Sequence, residues 1–269
     1  MKKYHFLVGA PRSGNTVVAS VLNQNNKICL TAQSPLCSIL YELDKLQNET
    51  HIGKVITNFP DYQSYNNIIK SLFDSYYSEW EQEIIFDRSP WGNPAHLNLL
   101  KKYFDFEYKF LILRRSLVEI FASFMKWCEE NPNNYINEAT NGGTVDEKFD
   151  YLFHSEGHLS KYMRSIVDIR NSTYFYHEIF YDEFVNNPKE TIEKFYSAFG
   201  IDNYDHDFNN ISQLKLNGVK YDDTLCGNNM HKLRSVLKKS IYDIERYVPP
   251  HLIKKMEELE RIAFPLGYK

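Results

Sequence analysis

"FLVGAPRSGNTVVASVLNQN", residues 6–25, decides the fold. Its apolar opening suits a buried strand, and Val17, Val18, Val21 and Leu22 then recur at helical spacing. Between them, Gly9-Ala-Pro-Arg-Ser-Gly14-Asn15-Thr16 follows the spacing G-x-x-x-x-G-K-[ST] of phosphate-cradling loops, but Asn15 stands where that pattern has lysine. A strand that turns tightly into a helix leaves backbone N–H groups aimed at one point, where the helix dipole adds positive charge. Ser13, Gly14, Asn15 and Thr16 are the natural donors, and Arg12 is the one cation in the turn.

Outward from this loop the chain alternates strands and helices. Ile28–Leu30 reads as a second strand and 36–46 as a helix. Residues 61–81 read as one Tyr-rich amphipathic helix, and Glu83–Phe86 as a strand ending in Asp87-Arg88. Phe110–Leu113 is the clearest buried strand; it runs into Arg114-Arg115 and a helix with the capping box Ser116-x-x-Glu119. Residues 129–143 read as a long loop, 145–170 as a helix, 173–177 as a strand, and Pro188 as the first turn of another helix. Residues 201–230 are irregular, with helices expected again near 231 and at 250–264. Such alternation predicts an α/β fold, a three-layer sandwich of the P-loop type with a central parallel sheet flanked by helices. We expect a single domain over 1–269, closed by a helical and basic segment from about 201 to 269.

Pro11-Arg-Ser-Gly-Asn-Thr16 resembles the P-[KR]-S-G-T-T loop of sulfotransferases, with Asn15 replacing the family's usual threonine. The arginine version is similar to that of the protein-tyrosine and bacterial branches. The resemblance implies that the loop holds the 5′-phosphosulfate end of 3′-phosphoadenosine-5′-phosphosulfate (PAPS), whose product is adenosine 3′,5′-bisphosphate (PAP). It also implies a separate clamp for the 3′-phosphate, made by an arginine at a strand end and a serine eight positions later. Arg115 and Ser123 fit that spacing. If Ser116 caps the helix, Ser123 returns to nearly the same face seven residues on, while Arg114 projects to the other side of its strand.

The family carries a basic active-site residue at the strand end where Arg88 stands, so Arg12 and Arg88 are expected to flank the transferring group and neutralise charge on the bridging oxygen. In-line attack needs no metal, but the acceptor must lose a proton. In the protein-tyrosine branch a glutamate follows the first helix; the matching position here is Gln33, which cannot act as a base. Asp87 is the best local substitute, with Glu42 and His96 behind it; Asp87 could equally pair with Arg88. Late in the chain, Gly227-Asn-Asn-Met-His-Lys-Leu-Arg234 resembles the basic loop that family members close over the cofactor phosphates, which implicates His231, Lys232 and Arg234. Tyr181-Asp-Glu-Phe-Val-Asn-Asn-Pro188 resembles the family's "YEDLVxNP" segment and reads as structural.

Composition narrows the rest. With 269 residues and a net charge of −4, the chain has no broad attraction for nucleic acid, so an anionic ligand must be met by locally placed cations. Four cysteines without a C-x-x-C pair read as reduced thiols. The apolar run before the loop is too short for a signal peptide, and no stretch approaches a membrane span, so the expected location is cytoplasmic. His177, His206 and His251 lack ligand-spaced partners and are not read as metal sites. Tyr62, Tyr65, Tyr76, Tyr77, Trp80 and Trp91 suit core packing, or stacking on a sugar or aromatic acceptor. Two rivals to PAPS-dependent transfer to a hydroxyl or amine are a P-loop-derived kinase of nucleotides or small molecules, and a non-catalytic nucleotide-binding module.

Overall fold

Alternate residues of the first strand, Tyr4, Phe6 and Val8, are buried against one set of helices, and Leu7 against another. Such burial on both faces identifies a central strand of a parallel sheet. The computed structural model describes residues 2–49, 51–220, 223 and 230–264. Strand β1 (Lys3–Gly9) leads through α1 (Asn15–Leu22) to β2 (Ile28–Leu30), then to helices α2 (Leu36–Glu49), α3 (His51–Asn58), α4 (Tyr62–Lys70) and α5 (Leu72–Tyr76). Strand β3 (Ile84–Arg88), α6 (Pro94–Tyr103), β4 (Phe110–Arg114) and α7 (Leu117–Glu130) follow. Next come α8 (Tyr135–Ala139), α9 (Val145–Phe153), α10 (His158–Arg170), β5 (Tyr176–Phe180), α11 (Tyr181–Asn186) and α12 (Pro188–Phe199). A small antiparallel pair, β6 (Lys215–Leu216) and β7 (Val219–Lys220), precedes α13 (Ile244–Tyr247) and α14 (Pro250–Ala263).

The five long-range strands are all parallel, in the order β2-β3-β1-β4-β5. β1 is therefore central, and the chain builds first to one side of it and then to the other. The crevice for a ligand lies at the carboxyl ends of strands where that reversal occurs. Here those are the ends of β1, β3 and β4, which carry the glycine loop, Arg88 and Arg115.

Aromatic side chains dominate the core. Phe6 meets Trp91 at 4.7 Å, Phe110 at 5.6 Å and Phe73 at 5.7 Å between ring centroids. Truncating so enclosed a ring to alanine costs about 3–5 kcal/mol. Tyr77 and Trp91 are fully buried in the same cluster, so core packing is their role, while Tyr62 and Tyr76 are exposed.

Several boundaries differ from the sequence reading, each for a local reason. The helix expected over 61–81 is two helices: the Ser71 hydroxyl donates back to the Ile68 carbonyl at 2.9 Å, competing with the backbone ladder. The helix expected over 145–170 breaks before Gly157, where a Cβ would lie 2.4 Å from the Leu152 carbonyl oxygen. The long loop at 129–143 contains α8, because Asn134 is an N-cap that accepts from the N–H groups of Ile136 (2.8 Å) and Asn137 (3.0 Å). The fifth strand starts at Tyr176, because Ser172 closes the end of α10 and holds the Tyr174 N–H at 3.2 Å. No helix forms near 231 among the described residues. Ile211, Leu233 and Leu237 spend their N–H groups on the Ser235 carbonyl, Gln213 and the Phe208 carbonyl, which makes 230–243 a strap tied to 208–213.

Cys29, Cys37 and Cys128 are free and buried; Cys226, and Gly227–Asn229 of the basic loop, lie outside the described residues. Among the described residues no helix is long and apolar enough to cross a membrane, and no cluster of three or more His, Cys, Asp or Glu could hold a metal ion.

Candidate active site

The loop after β1 is built around one carbonyl. Ala10 O accepts from the Ser13 N–H (3.1 Å), the Ser13 hydroxyl (2.8 Å) and Asn15 Nδ2 (2.8 Å). This wraps the turn tightly enough to put Arg12 at φ 69° and Gly14 at φ 98°, both left-handed. Gly14 has a second reason to be glycine, since a Cβ there would stand 2.6 Å from Tyr181 Cδ2. Asn15 turns its side chain beneath the loop, where Gly9 leaves room for it: a Cβ on Gly9 would lie 2.3 Å from Asn15 Oδ1. The position that carries the phosphate-binding lysine in triphosphatases is here a brace for the loop itself. Ser13 differs from its expected role for the same reason. Both its polar groups serve Ala10, its residual exposure is 2%, and it does not line the cavity described next.

Gly14, Asn15 and Thr16 open onto a cavity of about 330 Å³, within the range of small-molecule sites. Arg12, Arg88, Arg115, Ser123, His231, Lys232 and Arg234 line it too, so the structure brings together every residue expected at the cofactor except Ser13. Arg12 reaches across: Nε donates to Ser123 Oγ at 2.9 Å, and Nη1 to the Met230 carbonyl at 2.7 Å. Arg115 Nη1 donates to the Arg12 carbonyl at 3.1 Å and Nε to Glu119 at 2.9 Å. Its guanidinium lies 4.2 Å from the Tyr181 ring centroid and 5.2 Å from that of Tyr242. Arg114, one residue earlier, goes to the opposite face, where it meets Glu178 at 3.4 Å and stacks on Phe264 at 3.9 Å.

The expected capping box is not made. Glu119 is drawn to Arg115 and to Lys239 (3.4 Å), Ser116 makes no side-chain cap, and Glu260 takes the Leu117 N–H at 2.7 Å. Arg115 thus gains a carboxylate that orients it. A true capping box sits instead at Thr144 and Glu147.

Asp87 is misplaced as a base. Successive strand residues face opposite ways, so Arg88 points to the cavity and Asp87 into the aromatic core. It is 0% exposed and accepts from Trp91 Nε1 at 2.6 Å and from the Tyr77 hydroxyl. Burial raises its pKa, against the hydrogen bonds from Ser34, Tyr77, Trp91 and Ser89. It does not pair with Arg88, which donates from Nη1 to the Ala32 carbonyl at 3.0 Å. His96 is also spent elsewhere, with its Nδ1 2.8 Å from the Pro90 carbonyl and 3.1 Å from Cys37 Sγ. Neither Glu42 nor Gln33 lines the cavity.

In the strap, Arg234 donates from Nη2 to the Lys238 carbonyl (2.8 Å) and Ser240 Oγ (2.9 Å), and His231 is held by Asp223. Tyr181, Lys126 and Tyr242 also line the cavity, and sequence reasoning missed them as site residues. Tyr181 lay in a segment read as structural; Tyr242 carries no motif. The Tyr242 hydroxyl donates to Ser123 Oγ at 3.0 Å. Burial works to raise its pKa, but the Ser123 bond and the charges of Arg115 and Arg12 outweigh it, and the net shift is downward.

Seven Lys and Arg side chains and no Asp or Glu line the cavity among the described residues, in a chain whose net charge is −4. Fold and cavity together define an α/β domain of the P-loop type with a cation-lined cavity at the carboxyl ends of its strands. Residues 5–206 match the Sulfotransferase family, and the chain belongs to it. The sulfotransferase domain from the curacin biosynthetic pathway shares the fold at TM-score 0.56 and 13% identity, covering 100% of this chain and 99% of that one. Mouse sulfotransferase SULT7A1, solved as a complex with PAP, gives TM-score 0.58 at 15% identity, with 97% and 84% covered. Sulfotransferase STF9 from Mycobacterium avium gives 0.52 at 12%, with 98% and 77% covered. No curated protein sequence matches the chain.

Proposed function

We propose that the chain transfers a sulfuryl group from PAPS to a hydroxyl or amine acceptor. The observation that carries this reading is the set of seven Lys and Arg side chains, with no Asp or Glu, that lines the cavity among the described residues, with one anchor at the glycine loop and another at the end of β4. A ligand that carries two anionic groups answers that pattern. The N–H groups of Gly14, Asn15 and Thr16 would bind the 5′ end, where the donor supplies an activated sulfur. Arg115 and Ser123 would bind the 3′-phosphate, with Lys232 closing from the strap. Charge-assisted contacts of this kind contribute about 1.5–3 kcal/mol each.

Arg12 and Arg88 are the cations proposed to neutralise charge developing on the bridging oxygen. Burial lowers the Arg12 pKa, Tyr242 opposes this, and the charge of Arg115 adds to it. An anion between the two guanidiniums would relieve that repulsion. Kinase chemistry is disfavoured because position 15 offers an asparagine engaged with Ala10 instead of a lysine. Labelled-sulfate transfer from PAPS to a panel of phenols, glycans, peptides and lipid alcohols tests the reading. Label should appear in at least one acceptor, and PAP binding without any PAPS turnover would instead favour a non-catalytic module.

A further inference from the structure

With Asp87 sealed in the core and Gln33 unable to accept a proton, the proposed reaction lacks a base. We propose that His231, oriented by Asp223, is that base; the inference rests on the donor and reaction proposed above.

Three elements fix the position of His231. The carboxylate of Asp223 grips it twice: Oδ2 accepts from its backbone N–H at 3.0 Å, and Oδ1 meets ring Nδ1. Gln213 Nε2 donates to the His231 carbonyl at 2.7 Å, and Gln213 Oε1 accepts from the Leu233 N–H at 3.1 Å. The residue before it, Met230, accepts from Arg12 Nη1 at 2.7 Å. His231 thus lines the same cavity as Arg12 and Arg88, the two cations proposed to flank the sulfuryl group.

A carboxylate at Nδ1 selects the tautomer with its proton there, which leaves Nε2 with a lone pair. A base oriented by a third group is a recurrent arrangement for activating a hydroxyl for attack. The side chain is 17% exposed. Burial is the main influence on its pKa, Asp223 opposes it, and Arg88 and Arg12 add to the lowering; the net shift is downward. That direction favours the neutral ring, the form able to accept a proton.

In the step, the acceptor oxygen bonds to sulfur while the bond from sulfur to the 5′-phosphate oxygen breaks. The electron pair of that bond stays on the phosphate. The acceptor's proton passes to His231 Nε2, and the imidazolium, stabilised by Asp223, later releases it to water.

The test uses the full chain and the variants His231→Gln and Asp223→Asn. PAP affinity is measured by calorimetry, and PAP release from PAPS is followed across pH with water or the best acceptor attacking. The His231 ring is titrated by NMR, its signal assigned by its loss in His231→Gln. We expect His231→Gln to bind PAP within about twofold of wild type and to lose about 10²–10³-fold in kcat, together with the acidic limb of the pH profile. Asp223→Asn should lose about tenfold or more. The wild-type ring should titrate below 6.5 and move upward when PAP is added. If affinity falls as much as turnover, or the pH profile is unchanged, His231 is not the base. A wild-type chain that binds PAP and turns over PAPS but is indifferent to His231→Gln overturns this inference alone. One that binds no PAP overturns the donor assignment as well.

Discussion

Arg12 Nε lies 2.9 Å from Ser123 Oγ, joining the glycine loop after β1 to the second turn of α7. The residues expected at opposite ends of one ligand therefore touch. Ser123 Oγ also accepts from Tyr242, which brings the strap into the same network.

Ser123→Ala would leave Arg12 Nε and the Tyr242 hydroxyl without their shared acceptor. Each such loss costs about 1–3 kcal/mol when buried. We expect thermal denaturation to give a lower Tm and PAP affinity to fall by about tenfold or more. Ser123→Thr, which keeps the hydroxyl, should restore part of both.

Arg115→Ala removes the guanidinium from the proposed 3′-phosphate site. PAP binding, measured by calorimetry, should weaken by about 10- to 100-fold, while adenosine 5′-monophosphate should change little. Loss of both affinities to the same degree would indicate a collapsed loop, since Arg115 also holds the Arg12 carbonyl.

Asp87→Asn replaces a buried acceptor with one of the same shape. Its Oδ1 can still accept from Trp91, so turnover should stay within about threefold of wild type. Asp87→Ala should destabilise the fold by about 2–4 kcal/mol in denaturant titration, because Trp91 and Tyr77 lose their partner. A loss of activity in the asparagine variant without loss of stability would return Asp87 to the chemistry.

His5 predicts an acid-sensitive fold. Burial, with smaller contributions from Lys109 and Lys3, holds its pKa down to about 4, and neutral Nδ1 accepts from the Lys109 N–H at 3.3 Å. Below its unfolded value of 6.5 the unfolded chain takes the proton and the native chain does not. Stability should therefore fall as pH drops from 6.5 to 4, by about 3 kcal/mol from this group. Denaturant titrations of wild type and His5→Gln should converge at low pH; parallel curves would remove His5 as the cause.

The central sheet was legible because its signals are local. An apolar run, a glycine turn and a helical repeat recur in a form that strand parity and helix periodicity read directly, and Arg12, Arg88, Arg115 and Ser123 followed from strand ends and spacing. What was not legible depended on partners distant in sequence. Ser116 and Glu119 have the spacing of a capping box, but Arg115 takes the Glu119 carboxylate, and Glu260, distant in sequence, accepts from the first N–H of the helix instead. Asp87 is adjacent to a site residue, and only its facing direction removes it. The strap's helix was overridden by contacts with 208–213, and the place of Tyr242 beside Ser123 rests on a separation of 119 residues that no motif marks.

Ligand-dependent melting tests the central claim most directly. PAP at about 100 times its Kd should stabilise the native chain by about 2.7 kcal/mol, raising Tm by about 5–10 °C, while ATP and adenosine 5′-monophosphate at the same concentration should shift it far less. Equal shifts for all three would contradict a cavity built for two separated anions.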